Sequence, residues 1–177
     1  RLPPTPRALL DVAGGHGWFA AELCRRHPGL QATVLDLPAS AAVGREILAE
    51  QGMADRVTHV EGDLMEAELG GPYDCALCFN IVHHLSPEAN VELLRRINAA
   101  LSPGGTVAVL DLFMPPPDTR ADAGAMLGLF FYLTSSAATY TEKQLRDWLA
   151  EAGFERPRRI KLRRLPNLGL FEARRPA

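Results

Sequence analysis

The sequence predicts a single α/β domain built on a parallel sheet. Three observations carry that expectation. Short β-rich runs alternate with helical ones from the N-terminus, the first strand runs straight into a glycine-rich turn and a helix, and a chain of 177 residues that is 47% hydrophobic can enclose one sizeable core.

The elements follow in chain order. A first strand is read over Ala8 to Ala13 and a helix from about Gly17 to His27; a second strand covers Gln31 to Leu37, with a helix from about Ala39 to Gln51. Arg56 to Glu61 and Tyr73 to Phe79 supply strands three and four. Ser86-Pro87-Glu88 then reads as an N-cap, a proline at the first helical position and an early acid, and Val91, Leu94, Ile97 and Leu101 recur at helical spacing. Pro103-Gly104-Gly105 stops that helix, and Thr106 to Leu112 forms an apolar fifth strand. Met114 to Thr119 holds three consecutive prolines, which have no N–H to give to a ladder, and is read as a loop. Arg120 to Leu133 is an apolar helix rich in Ala, Leu and Phe, and Thr141 to Ala152 is another, opened by a Thr cap and closed by Gly153. Two strands finish the chain.

Composition excludes several classes. Apolar stretches such as Ala125 to Leu133 fall well short of the roughly 20 residues a membrane span needs, and no signal-like apolar region follows the N-terminus. The three cysteines are an odd number in a chain without an export signal, which favours reduced thiols and a cytoplasmic protein. Net charge is −2, yet 8 of the 19 basic residues, against one acid, lie in residues 156–177. Arg159, Lys161 and Arg163 alternate there with Ile160 and Leu162, the period-two pattern of a half-buried edge strand, so the basic tail is read as sheet and not as a nucleic-acid surface. The start at Arg1-Leu2-Pro3-Pro4, without Met, predicts a piece of a longer protein.

The chemistry sits where strands end. Leu9-Leu10-Asp11-Val12-Ala13-Gly14-Gly15-His16-Gly17 passes from strand to helix; Gly14, Gly15 and Gly17 allow a tight turn and close approach of a ligand to backbone N–H groups at a helix N-terminus. Asp36, ending the second strand 19 residues after Gly17, is placed to accept from both hydroxyls of an adenosine ribose. Asp11 would repel a pyrophosphate but attract a cationic amino-acid tail. Asp63, in Glu61-Gly62-Asp63-Leu64, is placed to accept from an adenine amino group while Leu64 covers the ring. Each acid also has a plainer reading: Asp11 could cap the glycine turn, and Asp63 could open a loop.

These motifs, with Leu35-Asp36-Leu37-Pro38, Ile81-Val82-His83-His84-Leu85-Ser86-Pro87-Glu88, Leu101-Ser102-Pro103-Gly104-Gly105 and Tyr140-Thr141-Glu142, resemble the class I S-adenosylmethionine-dependent methyltransferases. Within them the likeness is to the catalytic domain of the plant and bacterial small-molecule O-methyltransferases. The resemblance implies a three-layer Rossmann-like fold over residues 1–177, with a seven-stranded, mostly parallel sheet whose last strand is antiparallel. It also implies S-adenosylmethionine as cofactor, a small-molecule acceptor, and an N-terminal winged-helix dimerisation domain absent from this sequence, with homodimers in the full-length protein.

His83 and His84 follow the fourth strand, and an imidazole titrates close enough to operating pH to take a proton from a phenol or enol. The resemblance assigns the base to His83 and the orienting acid to Asp111. Two departures bear on that arrangement: His84 stands where plant members carry an acid, and a second family acid falls at Thr139. No metal is expected, because adjacent histidines diverge and no HxxxH or matched carboxylate pair accompanies them. His16 reads as a loop residue valued for its backbone, and His27 and His59 as surface or strand positions. Cys75 and Cys78, three apart on a strand, point to opposite faces and read as two buried thiols. The apolar helix with Met126, Leu129, Phe130, Phe131 and Tyr132 is either ordinary core or, as the resemblance implies, the lining of an acceptor pocket for a flat aromatic or polyketide-like hydroxyl compound.

Three alternatives are weighed. A nicotinamide-dependent oxidoreductase fits the glycine pattern and Asp36, but lacks a Tyr-x-x-x-Lys pair and places Asp11 beside the phosphate site. A nucleic-acid methyltransferase would need Pro-Pro-aromatic after strand four, where Asn80-Ile81-Val82-His83 stands. A cofactor-binding domain without catalysis is the third, against which His83 and Asp111 both stand intact.

Overall fold

The computed structural model of the chain describes residues 5–114, 126, 128–130, 132–133, 138–162 and 168–177. Arg1 to Pro4, the proline-rich loop beyond Met114, the first residues of the apolar helix, Phe131 and Arg163 lie outside the described residues. The elements are β1 (Ala8–Val12), α1 (Trp18–Arg26), β2 (Gln31–Asp36), α2 (Pro38–Glu50), β3 (Val57–Glu61), β4 (Tyr73–Phe79), a 3-10 turn (Val82–His84), α3 (Pro87–Ala100), β5 (Leu101–Met114), β6 (Tyr140–Thr141), α4 (Glu142–Glu151), β7 (Glu155–Ile160) and β8 (Leu168–Arg174). The described residues between 126 and 133 are helical.

Seven strands form one continuous sheet in the order β3-β2-β1-β4-β5-β8-β7, with β6 pairing on β5 beside that path. β1 to β5 run parallel, and β8 lies antiparallel between β5 and β7. The three-layer α/β expectation and the antiparallel last strand are therefore both met. Alternation along the strands makes the layers. Leu9 of β1, Cys75 and Leu77 of β4 and Val34 of β2 pack under α1 and α2, through Ala20, Ala21, Cys24 and Leu48. Leu10, Val12, Ala76, Cys78, Val107 and Val109 pack on the other face against Val91, Leu94 and Ile97 of α3 and Leu145, Trp148 and Leu149 of α4. Each fully buried aliphatic side chain in these layers contributes about 1.5–3 kcal/mol over its exposed state. Cys75 and Cys78 thus face opposite layers, and all three thiols are free and buried.

Local signals fix the ends of the helices. Ser86 Oγ accepts from the Ala89 N–H at 3.2 Å, and Thr141 and Gln144 form a reciprocal capping box. β5 starts earlier than Thr106 because Leu101 already pairs with Tyr73, and the register shift before Cys75↔Thr106 absorbs the Pro103-Gly104-Gly105 segment as a bulge. The two-residue β6 is a strand that the sequence pattern does not predict; its pairing of Phe113 with Tyr140 docks the start of α4 against β5. The basic tail forms β7 only as far as Ile160, with Arg158 and Arg159 paired to Glu172 and Glu142. No helix among the described residues is long and apolar enough to cross a membrane.

Candidate active site

Parallel register brings the C-terminal ends of β1, β2, β4 and β5 to one rim, with Val12 beside both Leu35 and Cys78, and Cys78 beside Val109. Open α/β sheets bind ligands at such a rim. Asp11, Asp36 and Asp111 stand on it, and His83 and Asp63 lie in the loops just beyond.

The glycine loop turns from β1 into α1 through a bond from the Gly17 N–H to the Gly14 carbonyl at 2.9 Å. Gly15 and Gly17 take φ values of 57° and 76°, which side chains resist. Gly14 is required for a different reason: a Cβ there would stand 2.6 Å from Asp11 Cγ, so the loop rests directly on that carboxyl group. Asp11 is 1% exposed, and its Oδ2 has no hydrogen-bond partner. Burial first, and the neighbouring Asp36 second, push its pKa from 3.8 up to about 7, against a lowering contribution from the Ala20 N–H. A buried carboxyl oxygen left without a partner under a glycine loop is an acceptor awaiting a cation or a donor.

Asp36 ties the loop down. Its Oδ2 accepts from the Gly15 N–H and its Oδ1 from the Leu37 N–H, both at 2.7 Å, so the carboxylate is fixed in direction while each oxygen retains capacity for a further donor. Asp63 Oδ1 accepts from the Met65 N–H at 2.7 Å within a turn closed by Asp63 carbonyl bonds to Glu66 and Ala67. The plainer reading of Asp63 holds: it opens a loop, and that loop sets the half-buried Leu64 against the core. Arg96 of α3 clasps the same loop by donating to the Leu64 and Ala67 carbonyls.

Across the rim, His83 is 7% and Asp111 1% exposed. His83 Nδ1 lies 2.7 Å from Asp111 Oδ1, and the His83 backbone N–H donates to Asp111 Oδ2 at 3.2 Å. A carboxylate accepts, so Nδ1 carries the proton and Nε2 holds the lone pair of the neutral ring. The 3-10 turn bearing His83 is strapped from three sides. Asn90 of α3 donates to the Val82 and Leu85 carbonyls at 3.0 and 3.3 Å, Tyr140 Oη donates to the Leu85 carbonyl at 2.6 Å, and the Ala138 N–H donates to the His83 carbonyl at 2.9 Å. His84 is exposed, with its ring 4.1 Å from that of His83; burial, then His83, lower its pKa, and Asp111 opposes them. Cys78, fully enclosed between the layers, is pushed well above its ordinary range by burial and then by Asp111 and Asp11.

The structure thus brings together every residue singled out from the sequence at this rim, and corrects two other readings. His59 is a strand position, within β3, but not a surface one: it is buried, and its Nε2 meets the Gly15 carbonyl at 2.9 Å. Met126, Leu129, Phe130 and Tyr132 are 53–66% exposed, so ordinary core is not their place. The strapping residues escape sequence reasoning. Asn90 leaves one signal, a polar residue in helical step with Leu94 and Ile97 on an otherwise apolar stripe.

A family model described as the O-methyltransferase domain matches residues 5–155. A 3-hydroxy-5-methyl-1-naphthoate 3-O-methyltransferase of Streptomyces sahachiroi is 31% identical over 155 residues, covering 88% of this chain and 45% of its own length. The tetracenomycin polyketide synthesis 8-O-methyl transferase TcmO of Streptomyces glaucescens is 35% identical over 149 residues, covering 83% and 43%. Among solved structures, the S-adenosylmethionine-dependent methyltransferase SibL superposes with a TM-score of 0.87 at 31% identity, over 97% of this chain and 51% of its own. The chain spans about half the length of these relatives, or somewhat less. With the fold and most of the sequence matched to one group of proteins, the chain belongs to the O-methyltransferase domain family of class I S-adenosylmethionine-dependent methyltransferases.

Proposed function

We propose that residues 1–177 act as the cofactor-binding catalytic domain of an enzyme that methylates a hydroxyl of an aromatic or polyketide-like small molecule, with His83 as general base. The observation that carries this reading is the buried His83–Asp111 pair, 2.7 Å apart, on the same sheet rim as the glycine loop and its carboxylates.

The residues at the rim suit S-adenosylmethionine. Asp36, held by two backbone N–H groups, would take the ribose hydroxyls; Asp11, with its bare Oδ2, would face the ammonium of the amino-acid end; Asp63 and Leu64 would take the adenine amino group and ring; Gly14, Gly15 and Gly17 let backbone approach closely. When bound, this cofactor supplies a methyl group on a positively charged sulfur, open to in-line attack by an oxygen. His83 Nε2 takes the proton of that attacking hydroxyl. Its Nδ1–H, fixed on Asp111, keeps the ring in the required tautomer and balances the imidazolium that forms. Orientation of the acceptor within a dry pocket supplies the rest of the rate.

Relatives named for a hydroxynaphthoate and for tetracenomycin polyketide synthesis support an aromatic, polyketide-type substrate, and the exposed Phe130 and Tyr132 are aromatic side chains suited to pack on one. Three buried, unpaired thiols suit a reducing compartment, in keeping with a cytoplasmic enzyme.

Thermal unfolding with added ligand tests the cofactor. S-adenosylhomocysteine should raise the midpoint as RT ln(1 + [L]/Kd) prescribes, and NAD should not. No shift at millimolar S-adenosylhomocysteine, or a shift with NAD alone, overturns the assignment.

A further inference from the structure

His59 of β3 lies beneath the glycine loop. Its Nε2 is 2.9 Å from the Gly15 carbonyl oxygen, while its Nδ1 is buried without any hydrogen-bond partner. A carbonyl only accepts, so the ring proton sits on Nε2, and the side left bare holds a lone pair instead of a stranded N–H. Neighbouring backbone makes room for the ring. A Cβ on Gly44 of α2 would stand 2.3 Å from Nε2, and one on Gly17 would stand 3.3 Å from Cε1. The imidazole shares the space under the loop with Leu48 and Val34, which would stand 3.1 and 3.3 Å from the same Gly17 Cβ.

The consequence falls on the peptide that joins Gly15 to His16. It is the central peptide of the turn closed by Gly17 N–H and the Gly14 carbonyl, with a positive φ at Gly15 and none at His16. Such a peptide is the unit of a turn that reverses most readily, and a glycine on one side lowers the resistance further. In a trans peptide the C=O and N–H point opposite ways. With the carbonyl drawn down to His59, the His16 N–H is turned away from β3 and out of the loop. Asp36 meanwhile fixes the preceding N–H, of Gly15, at 2.7 Å, so the two sides of Gly15 are held by two different strands.

We propose that His59 is a positioning residue for the cofactor: by holding the Gly15 carbonyl it presents the His16 backbone N–H as a donor to an acceptor oxygen of the bound S-adenosyl ligand. This rests on the cofactor reading above. His59 touches no ligand itself and acts only through the Gly15–His16 peptide.

Calorimetric titration of S-adenosylhomocysteine into the 177-residue chain and two variants tests it. His59→Met keeps the bulk and loses the donor; His59→Gln keeps an amide N–H that can reach the same carbonyl. Affinity is expected to fall about tenfold in His59→Met, the equivalent of one lost hydrogen bond, and to stay within about threefold of the unaltered chain in His59→Gln. Unaltered affinity in His59→Met, or an equal loss in both variants, overturns the proposal. Should the Met variant fail to fold, the imidazole nitrogen resonances of the unaltered chain decide: the Nε2–H tautomer is expected, and the Nδ1–H tautomer overturns the role. Failure of the unaltered chain to bind S-adenosylhomocysteine, with the Nε2–H tautomer present, strikes the cofactor reading itself and takes this role down with it.

Discussion

On the β1–β3 side of the rim, side chains hold backbone: Asp36 takes the Gly15 N–H, His59 takes the Gly15 carbonyl, and the Asp11 carboxyl lies under Gly14. On the β4–β5 side the roles reverse, and backbone and neighbouring side chains hold a single side chain, with Asp111, Asn90, Tyr140 and Ala138 all converging on the turn that carries His83. A binding surface made of peptide groups is distributed, so no one residue carries it. A base is one nitrogen, and everything around it serves its aim. Lesions on the two sides should therefore differ in kind.

The largest effect is expected at His83. His83→Ala should lower turnover by about 10²- to 10⁴-fold, the range a positioned general base supplies, with any acceptor that the unaltered chain methylates. Affinity for S-adenosylhomocysteine should be unchanged, since the ring belongs to the other side of the rim. Turnover within about threefold of the unaltered chain would remove His83 from the chemistry. A parallel loss of cofactor binding would break the division between the two sides.

Asp11 comes next, and its effect depends on pH. In the unfolded chain its carboxyl loses its proton near 3.8, whereas in the fold it does so only at about 7. Between those values the folded chain keeps a proton that the unfolded chain has lost, so Asp11 makes stability fall as pH rises; below 3.8 and above about 7 its contribution is flat. Asp11→Asn removes that slope. Denaturant titrations should find the variant no more stable near the lower limit and more stable by a few kcal/mol above the upper one, since each tenfold change in proton affinity is worth about 1.36 kcal/mol. Binding should move the other way. An ammonium group at the amino-acid end favours the ionised carboxylate, so S-adenosylhomocysteine should bind the unaltered chain more tightly as pH rises towards 7 and level off above it, and Asp11→Asn should bind it weakly throughout. A pH-independent affinity would mean that the carboxyl does not face the charged end.

The two sides also differ in how well the sequence announces them. Asp11, Gly14, Gly15, Gly17 and Asp36 are close in the chain, and backbone chemistry demands particular residue types at fixed spacing, so the glycine-loop side can be read from its spelling. The parallel sheet follows from βαβ alternation, and the opposite facing of Cys75 and Cys78 follows from strand period alone. His59 is illegible because its partner is a carbonyl 44 residues away, and a carbonyl leaves no mark on the sequence. Asn90 and Tyr140 meet backbone carbonyls as well, 8 and 55 residues distant. His83 is found from its place after β4, but its straps are not, because they depend on how α3 and β6 dock.

Asn90 gives the third expectation. Asn90→Ala leaves the Val82 and Leu85 carbonyls without their shared donor inside the fold, at a cost of about 1–3 kcal/mol in unfolding free energy. Turnover should fall with it while S-adenosylhomocysteine affinity holds, because the residue touches only the His83 turn. Equal losses of turnover and affinity would mean that the two sides are coupled through α3, for which Arg96 and its grip on the Leu64 loop are the available connection.

Tyr140 offers the finest test. Its hydroxyl donates to the Leu85 carbonyl at 2.6 Å, while its ring packs edge-on against Trp148 at 4.8 Å. Burial, then Glu88, raise the phenol above its ordinary value of 10.0, so it remains a donor across the neutral range. Tyr140→Phe removes the hydroxyl and keeps the ring. Because Asn90 still donates to the same carbonyl, the oxygen is not orphaned, and the loss should be that of one net hydrogen bond, about 0.5–1.5 kcal/mol, or a midpoint lowered by roughly 2–4 °C for each kcal/mol. In the Asn90→Ala background the same change strands the carbonyl outright, so the double variant should lose more than the sum of the two single ones. Strict additivity would show that the two straps do not share Leu85 in solution.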